Sequence, residues 1–241
     1  MQKHSLHITA MTLCIVVLCC TLRAQNYEQV WPREYSKAEA FIENHHVTIK
    51  EVFHQAPVPS KVALAVVFPE LIRFNTIRDF FETGALETVY VNQGLSSIDF
   101  SIGHFQMKPS FAEAIEKDFK PGSHTQKQFG RLTQITAIDL NSERSQRLNR
   151  LKSIKWQLIY LRAFVELMYG RFPNLIEKPD AQQVAFLAAA YNLGYRHSGD
   201  EIDNWITVPA FPNGKKAWTQ QYAYADIAVY FYQRTKLPAT N

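Results

Sequence analysis

The chain has almost no sulfur chemistry to offer. Its 241 residues include three cysteines, Cys14, Cys19 and Cys20, all within the first 24 positions. Downstream of Ala24 this excludes a disulfide, a thiol nucleophile and a cysteine metal site. Acidic residues are also missing from that opening stretch. Met1–His7 carries Lys3 and two histidines, and Ile8–Cys20 is a nearly uninterrupted apolar run. A basic start, an apolar run and Ala24 ahead of a polar chain read as a secretory signal peptide over 1–24, cut before Gln25. The run is short for a membrane span, which needs about 20 residues. An uncleaved anchor is the alternative. A lipid anchor fits less well, because Leu18 and Cys19 precede the cysteines that would carry it. The expected location is exported, in the periplasm or cell envelope.

Dense charge is lacking too. The full chain is +4, and loss of Lys3 and Arg23 leaves +2. With no basic block, nucleic acid is not an expected partner. There is no internal repeat and no low-complexity tract. What is present is ordinary globular chemistry, 46% hydrophobic and 20% charged.

The patterning is mainly helical. Residues 25–59 read as a polar, aromatic-flecked N-terminal arm with a short helix over Lys37–Asn44. Ser60 can cap a helix from Lys61 that is apolar on every side through Phe68, so it is expected to be buried. Pro69 interrupts it and places Glu70 at a kink or restart. Residues 84–100 read as loop and short extended pieces. A helix starts at Pro109-Ser110. A long one runs from about Ser142, with Leu148, Leu151, Leu158, Leu161, Val165 and Met168 at helical spacing. Pro179–Gln183 resembles a capping box, Asp180 receiving backbone N–H groups and Gln183 reaching back. The helix behind it should pack on the long helix and turn its end toward Glu70. Asn204–Gly214 reads as loop, and Lys216 to about Lys236 as a final aromatic helix. The expected fold class is mainly α (α+β), with a small irregular or β-containing insert.

Three segments carry candidate chemistry. In Phe68-Pro-Glu-Leu-Ile-Arg-Phe74, a carboxyl among apolar neighbours loses hydration when ionised. Its pKa should rise from about 4.3 toward about 6–7, as a general acid requires. The plain alternative is a surface glutamate at a helix end. In Asp99–Ser110, Gly103 permits a backbone conformation or close approach that a Cβ would block. Gln106 offers one acceptor and two donors to a sugar. His104 has no partner at ligand spacing, so no metal is expected. The alternative is an ordinary turn. In Ala188-Ala-Ala-Tyr-Asn-Leu-Gly194, alanines allow close packing and Tyr191 and Asn192 project at one edge. The alternative is a helix C-terminus capped by Asn192 and Gly194.

In this order the three segments resemble the lytic transglycosylase and goose-type lysozyme superfamily, over about residues 60–195. The family pattern is a glutamate ending a buried helix, then Gly-Leu-Met-Gln with proline nearby, then Ala-Tyr-Asn-x-Gly. Glu70 matches the catalytic acid, Gly103–Pro109 the second motif with His104 and Phe105 replacing Leu and Met, and Ala190–Gly194 the third. Leu71 stands where the family has serine, and Glu70 and Gln106 are 36 residues apart, wider than the pattern.

The resemblance implies a lysozyme-like domain over 60–241 that takes peptidoglycan glycan strands, and other cell-envelope proteins stay open as partners. It implies Glu70 as acid, then base, with Tyr191 and Asn192 holding the sugar and Gln106 orienting its substituents. The product would be a 1,6-anhydro sugar, and no cofactor or metal is needed. Two rivals stay open. A hydrolytic lysozyme would use Asp99, or less readily Glu82 or Glu87, to activate water; Asp99 can equally be a turn former. A catalytically silent peptidoglycan-binding protein could share the fold.

Overall fold

A computed structural model describes residues 25–77, 83–96, 99–119, 122–129, 137–215 and 217–237. The expected signal segment 1–24 and Glu82 lie outside the described residues. The described chain is mainly helical with a small β element, as the patterning predicts. No described helix is long and apolar enough to cross a membrane.

The segment expected as a polar arm is three helices: α1 (Tyr27–Val30), α2 (Pro32–Asn44) and α3 (His46–Phe53). Pro32 opens α2, where its missing N–H costs nothing. Tyr35, Ala38 and Ile42 then bury one face, and Ile49, Val52 and Phe53 continue it. Residues 25–59 therefore share the main core rather than lying over it.

The core is organised around α4 (Ser60–Ile77), whose residues from Val62 to Phe68 are all buried. The helix continues through Pro69 instead of restarting there. Proline removes the bond that its N–H would give to residue 65, but burial on every side holds the rod together. α2, α10 (Asp180–Leu193) and α12 (Tyr224–Arg234) pack directly on α4. Phe68 stacks on Phe231 with ring centroids 3.8 Å apart. Ala188, Ala189 and Ala190 are buried and let α10 approach closely.

Residues 84–93, expected as loop, belong to α5 (Thr83–Gln93). The β-branched pair Val89 and Val91 lowers local helix propensity, but tertiary contacts override it. Arg144 donates to the Val91 carbonyl at 3.0 Å, closing the C-terminal turn. Tyr90 is buried and its hydroxyl accepts from Arg147 at 2.9 Å. Arg147, 3% exposed, also binds Glu113, Glu116 and Glu143 at 3.1, 2.7 and 2.6 Å. One guanidinium thus ties α5 to α6 (Pro109–Asp118) and to its own helix, α8 (Leu140–Lys152).

The single long helix is two: α8 (Leu140–Lys152) and α9 (Ile154–Arg171), broken at Ser153, which is extended. Gln157 stabilises the break by donating to the Leu151 carbonyl at 2.6 Å. α10 does not lie along α8. It touches α9 through Tyr169, which donates to Gln183 at 2.5 Å, and through Phe164 against Tyr191. Gln183 is therefore not a capping-box partner; its Nε2 donates to Lys178 at 2.7 Å. Pro179 is the N-cap and has no side-chain acceptor, while Asp180 accepts from Tyr232 instead. A capping box does occur at Ser198 and Glu201, opening α11 (Gly199–Trp205), part of which was expected as loop.

The final segment is not wholly helical. β1 (Pro209–Phe211) pairs antiparallel with β2 (Tyr222–Ala223), Pro209 opposite Ala223 and Phe211 opposite Tyr222, and α12 follows. Between α6 and α8 lies the short α7 (His124–Phe129).

Candidate active site

Glu70 lies past the middle of α4 and is 5% exposed. Burial pushes its pKa from 4.5 up to about 7, against the pull of the Arg73 and Lys108 charges. Arg73 sits one turn further on, with Nη1 3.7 Å from Glu70 Oε2. That is an electrostatic contact, too long for a hydrogen bond. Desolvation therefore dominates, and the carboxyl holds its proton near neutrality.

The second motif forms a tight hairpin. Ile102 and Met107 exchange backbone bonds of 2.9 and 3.1 Å around Gly103–Gln106. Gly103 has φ +68, and a Cβ there would fall 1.6 Å from Gln157 Nε2. Glycine is required twice over, for backbone and for space. Gln157 Oε1 accepts from the Phe105 N–H at 2.9 Å, so it fixes the hairpin as well as the α8–α9 break. His104 lies between Phe41 and Phe74, 4.3 Å from each ring centroid. Gln106 has φ +49, and its Nε2 donates back to Gly103 O at 2.9 Å. One of the two donors expected for sugar is thus engaged within the turn.

The third motif meets this hairpin. Tyr191 donates to the Phe105 carbonyl at 2.7 Å across 86 residues of sequence. Burial, and next the Glu70 charge, raise the Tyr191 pKa well above 10, so the phenol is a neutral donor. Asn192 Oδ1 accepts from Trp205 Nε1 at 2.9 Å. Gly194, at φ +122, ends α10, its N–H bonded to Ala190 O. The segment after it is held from behind by Arg171, which donates to the carbonyls of Tyr195, Arg196 and His197.

These pieces enclose one cleft of about 560 Å³. Glu70, Asp99, Gln106, Tyr191 and Asn192 all line it, so residues 121 positions apart in sequence share a wall. Gly103 does not line it and shapes the hairpin from behind. Asp99 is at the rim with both oxygens engaged: Oδ1 accepts from Ser110 N at 3.2 Å and Oδ2 from Ser110 Oγ at 2.8 Å. It anchors the first turn of α6, the turn-forming role left open for it. Glu87 is turned away from the cleft, paired with Lys152 at 2.6 Å. Among the described residues no group of histidine, cysteine and carboxylate side chains could hold a metal.

No family model, curated protein or solved structure matches this chain. What the site can do therefore rests on its own geometry. Four contributors were not among the residues singled out in the sequence. Arg73 was legible, since position i+3 on a helix faces its partner. Gln157, Trp205 and Tyr224 carry no local signal. Tyr224, at the start of α12, is buried, and its hydroxyl pKa is raised well above 10 by burial and by the Glu70 charge.

Proposed function

We propose that the chain is a peptidoglycan lytic transglycosylase with Glu70 as acid and then base. The observation that carries this reading is a buried carboxyl of pKa about 7 in a cleft shared with residues of all three motifs. Glu70 gives its proton to the oxygen joining N-acetylmuramic acid to N-acetylglucosamine, and the C1–O bond breaks. The acetamido oxygen of the muramyl sugar stabilises the electron-poor C1. Glu70, now a carboxylate, takes the proton of the C6 hydroxyl as O6 bonds to C1 and closes the 1,6-anhydro ring. No water is consumed, and one carboxyl serves both steps. The engagement of both Asp99 oxygens in the α6 turn favours this route over an inverting hydrolysis that would need Asp99 to activate water.

The test is mass analysis of fragments released from peptidoglycan by the purified chain. Products ending in 1,6-anhydro-muramic acid are expected, and Glu70→Gln should lose about 10²–10⁴-fold of the rate while staying folded. Asp99→Asn should keep most of the rate. Reducing ends together with an inactive Asp99→Asn would transfer the assignment to a muramidase. Full activity in Glu70→Gln would sink both.

A further inference from the structure

Buried polar side-chain atoms are nearly always paired. Among the described residues four have no hydrogen-bond partner: the hydroxyls of Tyr35 and Tyr224, Glu70 Oε2 and Arg73 Nε. Three of the four belong to one neighbourhood, since Tyr224 feels the charges of both Glu70 and Arg73. Arg73 is 32% exposed and lines the cleft. Its ion-pair partner among the described residues is Glu70, at 3.7 Å. A general acid must carry a proton, and a protonated Glu70 leaves Arg73 without a counter-charge. The neighbouring cations are already committed: Lys108 lies 3.7 Å from Asp99, and Arg196 bonds Asp118 at 2.7 Å.

We propose that Arg73 determines substrate specificity by exchanging the Glu70 carboxylate for a carboxylate on the glycan, so that anionic glycans bind with Glu70 protonated. The inference rests on the glycan-cleaving reading and adds to it the group of the substrate that the cleft recognises. An anion on Arg73 removes the contact that favours ionised Glu70, so anion binding and proton uptake assist one another, reciprocally. The groups facing Glu70 are Arg73 on its own helix, Lys108 ahead of α6, Tyr191 on α10 and Tyr224 on α12. Both phenols stay neutral, so the proton goes to Glu70. A neutral saccharide such as a chitin fragment offers Arg73 nothing to exchange. The shared chemistry is a carboxylate close to the cleaved bond, whether on the lactyl ether of muramic acid or on its peptide stem.

Three disaccharides without a scissile muramyl bond test this against the wild-type chain: N-acetylglucosaminyl-N-acetylmuramic acid, the same sugar bearing a dipeptide stem, and neutral chitobiose. Titration calorimetry near pH 7, in two buffers of different ionisation enthalpy, reads affinity and proton uptake together. At least one carboxylate ligand should bind roughly tenfold tighter than chitobiose, the scale of one charge-assisted hydrogen bond, and should take up part of a proton. The ligand that does so identifies the source of the carboxylate. Glu70→Gln should abolish the uptake. Arg73→Gln should abolish the preference, and Arg73→Lys should keep part of it. If Arg73→Gln does not fold, the two-buffer comparison on the wild type decides alone. Equal binding of all three with no proton uptake overturns the inference and leaves the glycan reading standing. Binding of none overturns both.

Discussion

Gly103→Ala isolates the contact between the hairpin and the helix break. The native φ of +68 lies where a Cβ is strained, at about 1–2 kcal/mol. The new methyl would also lie 1.6 Å from Gln157 Nε2 and 2.9 Å from the Leu151 carbonyl oxygen, so Gln157 must leave. Its departure abandons two buried partners, the Phe105 N–H and the Leu151 carbonyl. Each stranded group costs about 1–3 kcal/mol. The sum is at least about 3 kcal/mol, a large part of the 5–15 kcal/mol that typically holds a domain. Urea unfolding followed by circular dichroism measures it. A double-mutant cycle identifies the cause: in a Gln157→Ala background those bonds are already gone, so Gly103→Ala should cost about 2 kcal/mol less than in the wild type. A cost below about 1 kcal/mol, or the same cost in both backgrounds, would refute the account.

Glu70 also makes stability depend on pH. Its folded pKa of about 7 exceeds the ordinary 4.5, so the folded chain binds the proton more tightly. Stability from this group is full below about pH 4.5 and falls as pH rises through about 7, by on the order of 3 kcal/mol. Glu70→Gln should flatten that slope and be the more stable protein at pH 8; a parallel pair of stability curves would contradict the burial argument. The buried Tyr35 hydroxyl has no hydrogen-bond partner among the described residues, so Tyr35→Phe should leave stability within about 0.5 kcal/mol or raise it. A loss above about 1 kcal/mol in thermal unfolding would show that the hydroxyl is bonded.

The fold class was readable because apolar spacing reports burial directly. The run from Val62 to Phe68 announced a buried helix, and the alanines before Tyr191 announced close packing. Elements held by polar contacts were not readable. α5 depends on Arg144 and Arg147 reaching it from α8, more than 50 residues away. The break at Ser153 depends on a glutamine side chain that also serves the hairpin. Within the site, the motif residues were visible because their types are unusual in their positions. Arg73 needed only helical spacing to be noticed. Trp205 and Tyr224 reach the cleft residues from elements whose placement no local pattern announces, and Asp99, read as a rival's base or a turn former, binds Ser110 in the α6 turn while lining the cleft.

The stacking of Phe231 on Phe68 bears on the order in which the core can close. Phe68 stands two residues before Glu70, and its partner lies in the last described helix. Tyr230, beside it, bonds Asn26 at 2.8 Å, so the earliest described residues are secured by the same late helix. During synthesis α4 therefore emerges long before α12, one of the helices that cover it. Until α12 arrives, the flank of α4 that bears Phe68 lacks its cover, and the burial that raises the Glu70 pKa is incomplete. The burial of α4 is thus completed late, by the docking of a single aromatic helix made near the end of the described chain.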